Sequence, residues 1–168
     1  MSRTAVLLMA TTTALLTAAC SPQEAGCPAI AAAPVVSVTV VRDYVPQVKS
    51  LHLKACQEGT CAEGDLDLQP GSVSMSDDCN RDAGPDSVCS ATSTPDGTLI
   101  GMLMLERLTD APVDVVLTGT GPDGAPLPEL PHTITPIVST PYGEQCGQFI
   151  SAAVNLDADG LSSRLPES

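Results

Sequence analysis

The sequence predicts an all-β protein, an antiparallel β-sandwich of about seven to eight strands that disulfides cross-link. Short apolar runs, several of them alternating with polar residues, recur at roughly ten-residue spacing between turn residues. After the first twenty residues, no segment has the periodicity of an amphipathic helix. The chain of 168 residues contains seven cysteines but only two tyrosines, one phenylalanine and no tryptophan. Cross-links are therefore expected to supplement an aliphatic core.

Two early segments give the clearest strand signals. Residues 36–40 and 51–55 alternate apolar and polar side chains, which is the period of a half-buried strand. The polar, turn-rich residues 76–98 are expected to form a loop. Further strands are predicted at 66–68, 99–108, 113–118, 134–138 (broken by Pro136) and 149–156.

One disulfide follows from local geometry. If Glu58 and Gly59 form a two-residue turn, Cys56 and Cys61 face each other across a hairpin. Directly opposed residues of an antiparallel pair can approach within bridging distance. The sequence therefore predicts a clasp between Cys56 and Cys61.

The other cysteines can be paired by position. Cys79 and Cys89 bracket the polar loop and are expected to close it. By elimination, Cys27 pairs with Cys146. Cys20 remains, since an odd count in an exported chain leaves one thiol to explain.

Residues 1–19 predict a cleaved helical signal peptide. They have a positive start at Arg3, an apolar middle that Thr11–Thr13 interrupts, and small residues at the exit. The apolar stretch is shorter than the roughly 18 residues that a spanning helix needs, so a retained membrane helix is the lesser alternative.

The exit of the leader, Thr17-Ala18-Ala19-Cys20, resembles the lipobox of bacterial lipoproteins. The departure is Thr17 where that family prefers Leu, with Leu16 one place early. The resemblance implies a diacylglyceryl group on Cys20, a membrane contact through that lipid, and a location on the outer face of the cytoplasmic membrane. Ordinary cleavage after Ala19, which would give a secreted protein, is the alternative.

The predicted organisation has four parts. Residues 1–19 are the signal peptide, 20–34 the lipidated cysteine and a tether, 35–160 the sandwich domain, and 161–168 a tail. The formal net charge of −13 and the lack of Lys/Arg clusters exclude nucleic acid as a partner. The acidity also disfavours adsorption to anionic lipid, so membrane attachment needs a covalent anchor.

No catalytic constellation is predicted, and no cofactor. His52 is expected on the polar side of a strand and His132 in a turn, too few histidines for a metal enzyme. Asp157-Ala158-Asp159-Gly160 is expected to be a plain turn. The polar loop offers a weak calcium site with the carboxylates of Asp77, Asp78, Asp82 and Asp86.

Met102 and Met104 lie in an apolar run with leucines on both sides. This pattern is expected in a central strand buried on both faces, and the alternative is a methionine patch that binds a partner.

The strand pattern of residues 35–160 is similar to the immunoglobulin-like and carboxypeptidase-regulatory-like sandwiches of small actinobacterial lipoproteins, although the tryptophan and long-range cysteine pair of antibody domains are absent. The resulting hypothesis is a non-catalytic lipoprotein that contacts an envelope or surface protein. The alternatives are an extracellular protein that binds calcium or a small ligand, and an envelope hydrolase.

Overall fold

A computed structural model describes residues 27–29, 33–77 and 90–163, with the side chains of 76, 77 and 90 excepted. This part of the chain consists of strands joined by turns and two short 3₁₀ segments. The ten strands are β1 Val35–Val40, β2 Ser50–Gln57, β3 Thr60–Asp65, β4 Gln69–Asp77, β5 Ser90–Met104, β6 Val113–Thr120, β7 Leu130–Ile134, β8 Ile137–Ser139, β9 Phe149–Asp157 and β10 Gly160–Ser162.

The strands form two sheets. One has six strands in the order β10-β9-β1-β5-β4, with β8 also paired to β9, and the other has four in the order β3-β2-β6-β7. The chain changes sheet after β1, β3, β5 and β7. The all-β class is confirmed, with ten strands among the described residues where seven or eight are predicted.

One strand pair departs from the predicted antiparallel arrangement. β1 runs parallel to β9, with Val36 opposite Ala152 and Val40 opposite Leu156. Parallel strands must be joined by a long connection. Here the connection consists of all the residues between the end of β1 and the start of β9. The other pairs of named strands are antiparallel.

Both sheets contribute their inner faces to one aliphatic core. The alternation in β1 and β2 has the predicted phase, since the even residues of β1 and the odd apolar residues of β2 are buried. The alternately buried residues of β6, in the four-stranded sheet, and of β9, in the six-stranded sheet, complete the core. The largest fully buried side chains of the described part are Leu51, Leu53, Leu117, Ile134, Leu156, Val36, Val38, Val40, Val113, Val115 and Val154.

The described residues contain two disulfides, and both are pairings that the sequence predicts. Cys56 and Cys61 face each other across the β2–β3 hairpin. The turn is the one expected, with Glu58 and Gly59 both at positive φ, 49° and 83°. Cys27 is bonded to Cys146, 119 positions away. The predicted Cys79–Cys89 pair lies outside the described residues, as does Cys20.

The predicted loop at 76–98 is wrong over its described second half. Residues 90–98 belong to β5, and Pro95-Asp96-Gly97 is not a chain reversal. It is a bulge, where β5 has three residues between the partners of Pro70 and Ser72 and β4 has one. Gly97 takes the positive φ of 82° that this bulge requires.

Smaller predictions also need correction. His132 lies within β7 rather than in a turn, and Pro136 separates β7 from β8, which belong to different sheets. Residues 157–160 do turn, as predicted, but they lead into β10, which extends two residues beyond the expected boundary at 160.

Asp96 stabilises the bulge. Its Oδ1 accepts hydrogen bonds from the Thr98 hydroxyl at 2.7 Å and the Thr98 backbone N–H at 2.9 Å. These two bonds, the hydroxyl first, hold the pKa of Asp96 below its ordinary value of 3.8, with a smaller contribution from the Arg42 charge. A lowered carboxyl pKa contributes stability that is present above the unfolded-state pKa and is lost as the pH falls through the folded-state pKa.

We expect Thr98→Val to raise the pKa of Asp96 towards 3.8, because the strongest donor to its carboxylate is removed. The pH-dependent contribution of Asp96 to stability is then reduced, so the variant loses less stability than the wild type as the pH falls from neutral through the folded-state pKa. Carboxyl-carbon NMR titration measures the pKa directly, and Thr94→Val, on the exposed part of the same strand, is the matched control. A wild-type Asp96 that titrates at 3.8 or above contradicts this assignment.

Candidate binding surface

The central part of the outward face of the six-stranded sheet carries no charged side chain, and Asp157, at the end of β9, borders it. In β1, β5 and β9 the residues between the buried positions point away from the core, and the strand register brings them side by side. We call this surface the methionine face. It comprises Val35, Ser37, Thr39, Ile100, Met102, Met104, Ala153 and Asn155.

Met102 and Met104 are the most prominent side chains of this face. Each is 60% exposed, whereas Leu103 between them is 9% exposed and belongs to the core. The expectation of a strand buried on both sides is therefore wrong. The four-stranded sheet covers one face of β5 between Leu99 and Met104, and no described element covers the other face there.

The residues that lie opposite the two methionines in β1, and the next residue across in β9, are uncharged. Met104 lies opposite Val35, Met102 opposite Ser37, and Ser37 in turn opposite Ala153. β8 continues the apolar character at one side, since Ile137 is 48% exposed and lies opposite Ser151 of β9. Flexible thioethers beside small residues suit contact with varied apolar surfaces.

The outward face of the four-stranded sheet has the opposite chemistry. His52 Nδ1 lies 2.8 Å from Asp65 Oδ1, and Lys54 Nζ lies 3.5 Å from Glu63 Oε2. The Thr133 hydroxyl donates to Asp114 at 2.8 Å. This face is a solvated polar ladder, so the lack of charge on the methionine face is not a property of the chain as a whole, whose net charge is −13.

A cavity of about 330 Å³ lies beside the Cys56–Cys61 clasp. Two of its three charged side chains form an ion pair, with Arg107 Nη2 3.6 Å from Glu58 Oε2. The lining contains one hydroxyl side chain, Thr60, and no histidine. The lining residues are Gln57, Glu58, Thr60, Cys61, Ala62, Leu105, Glu106 and Arg107.

Gln57 builds one wall of this cavity and is not identified by sequence reasoning. It is 8% exposed; its Nε2 donates to the carbonyls of Thr109 and Ala111, and its Oε1 accepts from the Thr109 N–H at 3.0 Å. The alternating pattern of β2 identifies the position as inward-facing, but only the folded chain brings residues 109–111 against it.

The sequence-predicted chemistry does not converge. His52 and His132 have different partners, Asp65 and Ser163, each through a ring nitrogen. In the described ranges, no three His, Cys, Asp or Glu side chains group closely enough to hold a metal ion. Of the calcium candidates, Asp77 ends β4 with its side chain undescribed, and Asp78, Asp82 and Asp86 lie outside the described residues.

The two disulfides indicate an oxidising, extracytoplasmic environment. Within the described segments, no helix is long and apolar enough to cross a membrane. Comparison of the chain with protein-family models, with curated proteins and with solved structures found no match.

Proposed function

We propose that the chain is an exported lipoprotein, held at the membrane by a diacylglyceryl group on Cys20, whose immunoglobulin-like sandwich binds an envelope or surface protein through the methionine face. The observation that carries the binding proposal is the 60% exposure of Met102 and Met104 on an uncharged sheet face. The centres of protein interfaces are enriched in methionine and depleted of charge.

The charge distribution supports this choice of surface. A protein with net charge −13 stays soluble and apart from acidic neighbours by repulsion. A face without carboxylates is where that repulsion is weakest and where the fewest charges need desolvation on contact. Contiguous exposed apolar surface on a small domain marks such contact sites.

The sandwich proposal is supported by the sheet pairing. Two sheets share one core, and the chain changes sheet after alternate strands. Connections of this kind join the two sheets in immunoglobulin-like domains. The anchor proposal is supported by the leader and by the odd number of cysteines, three, that the two disulfides leave over, since one thiol then needs another role.

Photocrosslinking in the native host tests the binding surface. A benzophenone amino acid at position 102 is expected to form a discrete adduct with an envelope protein, and the same group at Thr118, which lies opposite His52 in the polar sheet, is not. Met102→Lys/Met104→Lys should reduce binding of the partner identified by that adduct about tenfold or more, with unchanged thermal unfolding. Equal adducts at both positions, or undiminished binding by the lysine variant, contradict the proposal.

The anchor has its own test. Intact mass of the membrane-extracted protein is expected to show a lipid addition at Cys20, and Cys20→Ala should move the protein from the membrane fraction to the medium. An unlipidated chain that remains in the membrane fraction would contradict this part of the proposal.

A further inference from the structure

β4 and β5 extend beyond the rest of the sheet as a two-stranded arm. β1 pairs with β5 only from Leu99 to Met104, whereas β4 accompanies β5 to Ser90. At about 3.3 Å per residue, the 15 residues of β5 span roughly 50 Å. Residues 72–75 and 91–95 are all exposed, so neither face of the arm is covered.

The outer edge of β4 differs from the other sheet edges in the described part of the chain. β3 carries Glu63 and Asp65, β7 contains Pro131, and β8 and β10 are three residues long. Charge, proline and shortness are devices that prevent strands of other chains from pairing with an edge. β4 has nine residues, and its stretch 71–76 contains neither charge nor proline.

The outer edge of β5 in the arm has such protection. Pro95 lacks a backbone donor. The Asp96 carbonyl, beside Pro95, accepts a hydrogen bond from Arg42 Nε at 2.7 Å. This acceptor, which lies where β1 ends, is therefore already occupied. Pro95 and the Arg42 contact therefore interrupt the described outer edge of β5. The described edge of β4 is uninterrupted over six residues, 71–76, whereas the stretch of β5 without charge or proline beyond Pro95 has five, 90–94.

We infer that β4 is a dimerisation edge, along which a second copy of this chain pairs antiparallel with Ser74 opposite Ser74 of that copy. The inference is independent of the function proposed for the methionine face. A two-stranded ribbon alone is marginally stable in water, and three or more strands are needed for independent stability. Pairing of two arms produces four.

The sequence of β4 is self-complementary in this register. Val73, which is 46% exposed, faces Met75 of the second copy, and Met75, which is 55% exposed, faces its Val73. In the same register, position 72 lies opposite position 76 of the second copy. Antiparallel neighbours on one face interact directly, so the four apolar side chains form one cluster and no carboxylates oppose each other between residues 72 and 76.

A second copy fits this edge better than an unrelated peptide. Sequence-selective strand capture requires side-chain pockets beside the edge, and no described element forms a second layer over the arm that could supply them. The arm also holds the acidic bodies of two copies apart, beyond the Debye length of about 8 Å in physiological salt. The ladder is short compared with a standard interface, so the dimer is expected to be weak.

Sedimentation equilibrium of the purified protein, up to roughly 100 µM, tests the inference. The wild type is expected to dimerise reversibly. Ser74→Lys and Ser74→Glu should each weaken dimerisation about tenfold or more, because like charges then oppose each other at the two-fold axis. An equimolar mixture of the two variants should recover association, since lysine then faces glutamate.

Ser93→Lys is the matched control. Ser93 is Ser74's partner within the arm, but in the dimer the two copies of residue 93 are three strand spacings apart, roughly 14 Å. We expect wild-type association for this variant. A monomer at every concentration, dimers that Ser74→Lys leaves intact, or a mixture of the charged variants that stays monomeric each overturn the inference. A wild-type monomer would leave the methionine-face tests unaffected.

Discussion

Replacing Cys27 and Cys146 by serine is expected to lower the free energy of unfolding by about 5 kcal/mol, measured by urea unfolding under non-reducing conditions. The bond joins positions 119 residues apart, so it closes almost the whole domain into one loop. In the chain-entropy account, the stabilisation grows with the logarithm of loop length because a longer loop removes more conformations from the unfolded chain. Such a loss is comparable to the total stability of many small domains.

The clasp provides the comparison. Cys56 and Cys61 are five positions apart, and the same account gives about 2 kcal/mol for their removal. The double serine variant at the clasp should therefore remain folded where the Cys27/Cys146 variant is partly unfolded. Equal losses, or a larger loss at the clasp, would mean that native-state contacts around the bonds, rather than the length of the closed loops, determine their contribution.

Features that depend on neighbouring residues could be predicted from the sequence. The alternation in β1 and β2 specifies which side chains enter the core, since successive residues of a strand point to opposite faces. The clasp follows from the Glu58-Gly59 turn, which fixes the hairpin register. The Cys27–Cys146 pair followed from elimination among cysteines, a constraint that does not require knowledge of the fold.

Features that depend on distant residues could not be predicted. Nothing near Val36 indicates that β9 will lie beside β1 and run parallel to it. The Pro95-Asp96-Gly97 sequence has the composition of a turn, and only pairing with β4 converts it into a bulge. The exposure of Met102 depends on the other sheet covering only one face of β5, and the local composition would be the same in a strand buried on both faces.

Only part of the candidate binding surface could therefore be predicted from the sequence. Met102 and Met104 could be named, and a partner-binding patch was one of two interpretations. The uncharged neighbours that make them a surface, such as Ser37 and Ala153, come from β1 and β9 through long-range pairing. The cavity beside the clasp likewise combines residues 57–62 with 105–107, which no local pattern connects.

The outer faces of the two sheets differ in role, because one is solvated and the other is proposed to contact a partner. Ion pairs on the outer face of the four-stranded sheet are exposed and contribute little stability, but they keep that face hydrated. The six-stranded sheet carries the methionine face, and its edge strand β4 is also uncharged from 71 to 76. Both association proposals thus involve one sheet, by its face and by its edge, and the tests at residues 102 and 74 separate them.

The adjacent residues Met102 and Leu103 should respond very differently to truncation. Leu103→Ala is expected to lower the free energy of unfolding by about 2–5 kcal/mol, since its side chain is 9% exposed and belongs to the core. Met102→Ala is expected to change it by less than about 0.5 kcal/mol, because a side chain that is 60% exposed leaves no cavity. Urea unfolding of both variants measures the difference. A loss of several kcal/mol at Met102 would restore the buried-strand interpretation and remove the methionine face as a free surface, whereas the expected contrast leaves that face available to a partner.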